Sequence, residues 1–268
     1  MTEHAVNASP FETIELDRED RVAVIKLNRP EVLNAISQRM VGELSQVLSD
    51  LNKDNGVRVV VLTAKDRGFC AGADIKESAG RSLAQQLYFL RSLNDLILQM
   101  EGLAKPVIAA IDGWALGGGF ELMLGADLVL ATQASVFGTP EINRGGMPAA
   151  GGTQRLPRLI GRTKAKDLLF TGRNVTAAEA EKLGLVNQVF PGKEELAAAC
   201  MKLAHALAEK APLGLMQMKR LVNLGTDMPL TLALEMAHEA ATLIMASYDK
   251  QEGSKAFTEK RKPQFKGE

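Results

Sequence analysis

Two glycine-containing loops carry the residue types in this sequence that are best suited to chemistry. One spans residues 68–77 (GFCAGADIKE) and the other spans residues 113–121 (GWALGGGFE). Each follows a segment that is predicted to be a buried strand. Ligands bind beyond the carboxyl ends of strands in open α/β sheets, so both loops are candidates for a binding site.

The glycines at 117–119 open a predicted helix, and they leave the backbone N–H groups of its first turn uncovered. The helix dipole favours negative charge at this end, so a carbonyl oxygen that becomes negative during a reaction would be stabilised there. A second N–H from the Gly72-Ala73 turn would complete an oxyanion hole. Tight packing of the helix against a strand is the alternative reason for the same glycines.

Glu121 and Glu141 are the candidate acid and base. Glu121 lies on the first turn of the predicted helix, and Glu141 lies within residues 138–142 (GTPEI). Taken singly, Glu121 would complement the helix dipole and Glu141 would occupy a solvated turn. Taken as a pair beside an anion site, two carboxylates can divide acid and base work when their pKa values are pushed apart.

The scarcity of histidine and cysteine disfavours several other kinds of site. Three histidines (His4, His205 and His238) are a poor basis for a histidine metal site or a Ser-His-Asp triad. Two cysteines, Cys70 and Cys200, cannot form a disulfide framework or a Cys-rich zinc site, and they indicate a reducing compartment. We therefore expect a cytoplasmic protein, without a bound metal, whose chemistry depends on carboxylates and backbone groups.

The composition narrows the class of protein further. The chain has 268 residues, of which 46% are hydrophobic, and its 32 basic and 32 acidic residues cancel. Zero net charge and an aromatic content of 4% disfavour a nucleic-acid binder. Residues 1–10 lack the apolar core of a secretory signal, and the longest apolar stretch, 103–120, is interrupted by Lys105, Pro106 and Asp112. We expect no membrane association.

Strands and helices alternate along the first 190 residues, which predicts right-handed βαβ units and a mainly parallel sheet. The predicted strands are residues 11–16, 21–27, 57–63, 106–111, 127–131 and 135–138. The predicted helices are residues 37–51, 83–103, 118–124, 151–160, 163–170, 193–209, 213–224 and 230–248. We expect an α/β core over residues 11–190 and a helical C-terminal region over residues 191–268, with Cys70 and Trp114 buried in the core.

Several motifs in order make the chain as a whole recognisable. They are RPEVLNA at 29–35, FCAGADIKE at 69–77, KPVIAAIDGWALGGGFE at 105–121, PE at 140–141, GGTQRL at 151–156 and EKRK at 259–262. With these motifs the chain resembles the crotonase superfamily, and within it the two-glutamate enoyl-CoA hydratases. The resemblance implies an α/β fold with a crotonase-like ββα spiral core. It also implies C-terminal helices that build homo-oligomers, either trimers or dimers of trimers.

The resemblance further implies a catalytic apparatus. The N–H groups of Ala73 and Gly118 would bind the carbonyl oxygen of an acyl-CoA thioester. Glu121 and Glu141 would hold one water between them, with Glu121 activating it for attack at C3 and Glu141 delivering a proton to C2. The implied reaction is reversible hydration of a trans-2-enoyl-CoA to a 3-hydroxyacyl-CoA, with no cofactor besides the acyl-CoA substrate.

The same resemblance implies a binding site for CoA. Lys76 would lie near its phosphates, while Phe257 and Lys260 on the last helix match positions that touch CoA. Capping of the following helix is the alternative role for Asp74, and a solvated charge run is the alternative for Lys260. The residues that would line the CoA site are Ala73, Asp74, Ile75 and Lys76.

The sequence also allows other functions, and it departs from the hydratase pattern at two positions. A double-bond isomerase of the same fold would need only Glu141, and the acyl group could be straight, branched or ring-derived. Ala149 stands where the hydratase pattern usually has glycine, and Arg144 would lower the pKa of Glu141 if it pointed inward, although we expect it to face solvent. An RNA-binding protein is the alternative from another class, and the two glutamates disfavour it.

Overall fold

The structure, a computed structural model, alternates strands and helices over residues 11–66 and 68–268, which are the residues it describes. The expectations about residues 1–10 and His4 lie outside the described residues. The strands are β1 (Ile14–Glu19), β2 (Val22–Leu27), β3 (Val59–Ala64), β4 (Val107–Ile111), β5 (Trp114–Leu116), β6 (Leu128–Thr132), β7 (Val136–Gly138), β8 (Asn174–Thr176) and β9 (Gln188–Phe190).

Eleven α-helices are present in the described ranges, and none of them has the length and apolar character needed to cross a membrane. Two 3₁₀ helices cover Pro30–Val32 and Pro140–Arg144. The α-helices are α1 (Gln38–Lys53), α2 (Ile75–Ala79), α3 (Leu83–Glu101), α4 (Gly118–Leu124), α5 (Gly152–Ile160), α6 (Arg162–Thr171), α7 (Ala177–Leu183), α8 (Lys193–Ala208), α9 (Pro212–Gly225), α10 (Leu230–Met245) and α11 (Tyr248–Thr258).

The strands form two sheets. The larger has the order β1-β2-β3-β4-β6-β9, and the smaller has the order β5-β7-β8. In the larger sheet β1 and β2 pair antiparallel, whereas the other four pairs are parallel, which confirms the predicted parallel core. Strands β3 and β4 are neighbours, so the two loops that were singled out in the sequence leave the sheet side by side at its carboxyl edge.

Both faces of the larger sheet are covered, as its runs of β-branched residues predict. On one face Val22, Val61 and Ile108 pack against Cys200 and Ala204 of α8. On the other face the sheet packs against α1, α3 and α4 in one continuous apolar core. With both faces covered, the loops at the carboxyl edge are left as the place where a ligand can approach the sheet.

Some predicted boundaries are wrong. Strand β1 continues to Glu19, beyond the predicted end at residue 16, because it is an exposed edge strand in which polar residues continue the pairing. The helix predicted over residues 230–248 ends at Met245, and a further helix, α11, begins at Tyr248. Ser247 separates them, since its hydroxyl accepts from the Lys250 N–H (3.2 Å) and caps α11.

The last ten residues are held against α11 by two buried carboxylates. Asp249 accepts from the N–H groups of Lys266 (2.7 Å) and Gly267 (3.0 Å). Glu252 accepts two bonds from the guanidinium of Arg261, at 2.6 and 2.9 Å. The charged tail is therefore docked on the protein through Arg261, Lys266 and Gly267, whereas the side chain of Lys260 is exposed.

Candidate active site

Hydrogen bonds on both sides of Ala73 hold the Gly72-Ala73 turn. The Ile36 N–H donates to the Gly72 carbonyl (2.8 Å), and the Asp74 N–H donates to the Ile36 carbonyl (3.0 Å). These two bonds form a parallel bridge between Ile36 and Ala73. The residue in the middle of such a bridge directs its own N–H to the opposite side, so the Ala73 N–H is turned away from Ile36.

The second loop lies directly beside this turn. A parallel bridge joins Cys70 to Ala115 in β5, which aligns the two loops. Gly117 then turns the chain with a φ of 52°, a left-handed conformation that favours glycine, and Gly118 begins α4. A Cβ atom added to Gly118 would lie 3.4 Å from the Ala73 nitrogen, so the two backbone N–H groups are neighbours.

These two N–H groups are available to a ligand. The adjacent Gly117 N–H donates to the Gly138 carbonyl (2.9 Å), but the N–H groups of Ala73 and Gly118 donate to no acceptor within residues 11–66 and 68–268. Two neighbouring, pre-oriented donors of this kind suit an oxygen that carries or develops negative charge.

Glu121 is buried on the first turn of α4, with 3% of its surface exposed. Its Oε1 accepts from the N–H groups of Ala150 (2.8 Å) and Gly152 (2.7 Å), and none of the described residues donates to Oε2. Burial, together with the charge of Glu141, raises the pKa of Glu121 to about 7, against the lowering effect of the two N–H bonds and of Arg155. Such a carboxyl group exchanges protons near neutral pH.

Glu141 lies on the 3₁₀ helix that follows β7. Its Oε2 is buried and meets no hydrogen-bond donor in the described part of the chain. Burial raises the pKa of this carboxyl group, although the charge of Arg144 works in the opposite direction. Arg144 itself is exposed, as predicted, so its effect does not outweigh the burial of Glu141.

The glutamates and the two free N–H groups surround one space. A Cβ atom on Gly117 would lie 3.0 Å from Oε1 of Glu141 and 3.8 Å from Cα of Gly72, so Glu141 adjoins the oxyanion loops. Glu121 projects from the same helix turn, and its pKa responds to the charge of Glu141. The structure thus brings together two protonatable groups with raised pKa values and a pair of unpaired N–H donors.

The residues after Ala73 form a short helix with an exposed outer side. Asp74 caps α2 by accepting from the N–H groups of Lys76 (3.1 Å) and Glu77 (3.2 Å), as the capping alternative predicts. Arg29 pairs with the same carboxylate at 3.1 Å. Ile75 is 61% exposed and Lys76 is exposed as well, so both side chains are accessible to a ligand.

Phe257 and Lys260 lie apart from these loops within one chain. Phe257 is 87% exposed, and no described contact joins either residue to the loops at the carboxyl edge. The tail is anchored at the other edge of the sheet, where Arg58, directly before β3, donates to the carbonyl groups of Ala208 (3.1 Å) and Phe265. The single chain therefore does not place these two residues at the candidate site.

Two further residues of the loops have different environments. Cys70 is fully buried, and burial raises the pKa of its thiol to about 12, so it is the inert hydrophobic residue that was predicted. Trp114 was predicted to lie in the core, but 43% of it is exposed. Its ring covers Gly68 at the surface, where a Cβ atom on Gly68 would lie 3.0 Å from the indole Cε3.

The groups that hold Glu121 are not among the residues predicted from the sequence. They are the N–H groups of Ala150 and Gly152 at the start of α5, together with Arg155 one turn later. The Gly151-Gly152 pair at a helix start was the available signal, because it resembles the glycines at 117–119. Ala149, the residue at a usual glycine position, is exposed. No group of three or more His, Cys, Asp or Glu residues in the described ranges is arranged to hold a metal ion.

Known proteins resemble this chain over nearly its full length. A family model described as enoyl-CoA hydratase/isomerase matches residues 17–268. YngF of Bacillus subtilis (strain 168), named as an enoyl-CoA hydratase/isomerase, is 40% identical over 257 residues, which is 93% of this chain and 96% of that protein. The 2,3-dehydroadipyl-CoA hydratase of Escherichia coli (strain K12) is 38% identical over 252 residues, which is 94% of this chain and 98% of that protein.

A solved structure agrees with the fold as well. The enoyl-CoA hydratase from Bacillus anthracis matches with a TM-score of 0.93 at 38% sequence identity, covering 96% of this chain and 100% of that one. This similarity confirms the predicted α/β fold with a crotonase-like core and C-terminal helices.

Proposed function

This chain belongs to the enoyl-CoA hydratase/isomerase family, and we propose that it acts as a hydratase. In this proposal it adds water reversibly across the C2–C3 double bond of a trans-2-enoyl-CoA thioester to give a 3-hydroxyacyl-CoA. The observation that carries the proposal is the pair of glutamates, the buried Glu121 and the partly buried Glu141, beside two unpaired N–H donors. Hydration needs one group that takes a proton from water and one that gives a proton to C2, whereas isomerisation needs a single base.

The thioester carbonyl would bind between the N–H groups of Ala73 and Gly118. As hydroxide adds to C3, negative charge moves onto the carbonyl oxygen to form an enolate. Donors that already point at this position stabilise the enolate more than the substrate, and removal of one such donor commonly costs about 3–4 kcal/mol of transition-state stabilisation. The absence of a competing acceptor for both groups within the described residues supports this role.

The two glutamates would divide the proton transfers. Ionised Glu121 would take a proton from water through Oε2, because Oε1 is already occupied by two N–H donors. Protonated Glu141 would give its proton to C2. Burial favours the neutral form of both carboxyl groups, and the assignment of the base to Glu121 rests on its two N–H donors, which favour its ionised form. The interaction between the two carboxyl groups favours a state in which one is charged and the other is neutral.

CoA binding would involve the exposed side of α2 and a second copy of the chain. Ala73, Asp74, Ile75 and Lys76 border the free N–H groups, and the Lys76 ammonium suits a phosphate. Phe257 and Lys260 have no described contact with the loops of their own chain, so we propose that they reach the CoA of a neighbouring subunit. The division into a core (11–190) and an assembly region (191–268) stays a prediction, as does the cytoplasmic location.

Exposed apolar side chains on the C-terminal helices support a homo-oligomer, either a trimer or a dimer of trimers. Large exposed apolar patches commonly mark protein interfaces. Those on α9 and α10 are Met218, Val222, Leu224, Leu230, Leu232, Leu234, Leu243 and Met245. We propose no cofactor, no nucleic-acid partner and no membrane partner, since the acyl-CoA thioester and two carboxyl groups suffice for hydration.

Loss of the conjugated thioester absorbance of crotonyl-CoA tests the proposal. We expect the purified protein to remove this absorbance, and we expect Glu121→Gln and Glu141→Gln to be strongly impaired. Conversion of a 3-enoyl-CoA with no loss of the crotonyl-CoA signal would establish an isomerase instead. A panel that includes straight, branched, ring-derived and dicarboxylic enoyl thioesters would define the acyl preference, the last because one relative is named as a 2,3-dehydroadipyl-CoA hydratase.

A further inference from the structure

Arg155 is held in a fixed position behind the glutamate pair. Its guanidinium makes a two-point ion pair with Glu101, with Nε to Oε1 at 2.6 Å and Nη2 to Oε2 at 2.9 Å. The remaining nitrogen, Nη1, donates to the Ala150 carbonyl (3.0 Å) and to Oδ1 of Asn94 (3.3 Å). The Arg155 side chain is only 13% exposed, so this ion pair is shielded from water and geometrically restricted.

The Ala150 backbone connects Arg155 to Glu121. Its carbonyl accepts from Arg155, and its N–H donates to Oε1 of Glu121 (2.8 Å). Two residues later the Gly152 N–H donates to the same oxygen (2.7 Å). Gly151 between them has a φ of 103°, and a Cβ atom at this position would collide with Nη1 of Arg155. The backbone is thus shaped so that a guanidinium fits directly against it.

We propose that Arg155, anchored by Glu101, is a positioning residue that holds the Ala150 and Gly152 N–H donors on the Glu121 carboxylate. It touches neither the substrate nor the reacting atoms in this role. The proposal rests on the proposed hydration reaction, because it concerns the precision with which Glu121 is held for proton abstraction. Misplacement of a catalytic group by about 1 Å can cost on the order of 100-fold in rate.

Arg155 also acts on Glu121 through its charge. The guanidinium lowers the pKa of Glu121 and so opposes the effect of burial. Loss of the guanidinium therefore raises this pKa, and loss of the two N–H bonds raises it further. Because loss of the charge alone raises this pKa, the pKa reports on positioning only in variants that keep a positive charge at residue 155.

Three variants and one control test the proposal. Arg155→Met removes both the charge and the hydrogen bond, Arg155→Lys keeps the charge, and Glu101→Gln releases the guanidinium without removing it. Arg158→Met is the control, because Arg158 lies on the same helix and is also paired with a carboxylate (Asp227 Oδ1 at 2.9 Å), but is exposed. We expect kcat for crotonyl-CoA hydration to fall about 10- to 100-fold in Arg155→Met with KM changed less than about threefold.

The pH dependence of the rate and the remaining variants separate the effects of charge and position. In Arg155→Met the acid limb of the kcat/KM profile should move to higher pH, since Glu121 must be ionised to accept the proton of water. Arg155→Lys should recover part of the rate and most of the pH profile. Glu101→Gln should lower kcat and raise the pKa of Glu121, because the charged guanidinium no longer holds the two N–H donors in place. Arg158→Met should behave like the unsubstituted protein.

Direct titration of the Glu121 carboxyl group keeps this test independent of the reaction. Its ¹³C resonance, identified by its loss in Glu121→Gln, reports the pKa even if crotonyl-CoA is not hydrated. A folded Arg155→Met variant with an unchanged Glu121 titration would overturn the proposal, and so would unchanged kcat in an active enzyme. Absence of hydration by the unsubstituted protein, with a raised Glu121 pKa in Glu101→Gln, would refute the proposed function and leave the positioning role standing.

Discussion

Replacement of Glu121 by glutamine should make the protein more stable while it removes activity. The folded state buries this carboxyl group and raises its pKa from 4.5 to about 7, which corresponds to about 3 kcal/mol in favour of the neutral form. In the unfolded chain the same group ionises at its ordinary pKa. The folded state therefore loses stability as the pH rises from the ordinary pKa to about 7, and the full cost is present above that window.

Glutamine keeps the carbonyl oxygen for the N–H groups of Ala150 and Gly152 but carries no charge. We expect Glu121→Gln to raise the melting temperature by about 5–10 °C at about pH 8.5. The difference should shrink as the pH falls towards the ordinary pKa of a glutamate, where both states bind the proton. Thermal unfolding of the two proteins across this pH range measures the effect.

Glu43 provides a control of opposite sign. Burial of this partly exposed carboxylate raises its pKa. The carboxylate also accepts hydrogen bonds from the hydroxyl (2.6 Å) and the N–H (2.8 Å) of Thr13, and these bonds lower the pKa, so that it lies below its ordinary value overall. Its stabilising effect is present above the ordinary pKa and is lost as the pH falls, so Glu43→Gln should destabilise the protein at about pH 8.5. A Glu121→Gln variant that is no more stable than the original protein at this pH would refute the reasoning about burial.

Four further outcomes follow from the site. Glu141→Gln should lower hydration of crotonyl-CoA by about 100- to 10,000-fold, and a full rate in the absorbance assay would remove Glu141 from the acid role. Gly117→Ala should lower kcat, because the backbone has a φ of 52° and the new methyl group would lie 3.0 Å from Oε1 of Glu141; an unchanged kcat would contradict the close approach. Asp74→Ala should cost about 1–2 kcal/mol in urea unfolding through loss of the α2 cap and the ion pair with Arg29, and an unaltered unfolding midpoint would argue against both contacts. Cys70 and Cys200 should resist iodoacetamide in the native protein, since burial raises the pKa of each thiol to about 12; rapid alkylation seen by mass spectrometry would show that they are accessible.

Local sequence signals were sufficient for the long elements and insufficient for the short ones. Helix α1 lies within one residue of its predicted start and two of its predicted end (37–51), and the hydroxyl of Ser37 caps it by accepting from the Met40 N–H (3.1 Å). Helix α4 was predicted with the correct ends because glycines mark its start. Strands β5, β8 and β9 have three residues each, too few to show a period, and they depend on pairing with distant segments.

The environment of the site residues could not be predicted from the sequence for a similar reason. Glu121 and Glu141 were selected from their residue type and from the family motif, but their burial and raised pKa values depend on contacts that a linear pattern does not contain. The Ala150 N–H reaches Glu121 across 29 residues, and Arg155 is paired with Glu101 across 54 residues. Such contacts follow from how α3, α4 and α5 pack, which is determined by the whole core.

The origin of one oxygen atom distinguishes hydration from a double-bond shift. In water enriched in ¹⁸O, the proposed reaction of crotonyl-CoA should place one ¹⁸O atom on C3 of the 3-hydroxyacyl product, and mass spectrometry of the product detects it. The label should appear with the unsubstituted protein and be greatly reduced with Glu121→Gln, because Glu121 takes the proton from the attacking water. Conversion of an enoyl-CoA with no incorporation of ¹⁸O would contradict the hydratase mechanism and establish that the two glutamates serve another reaction.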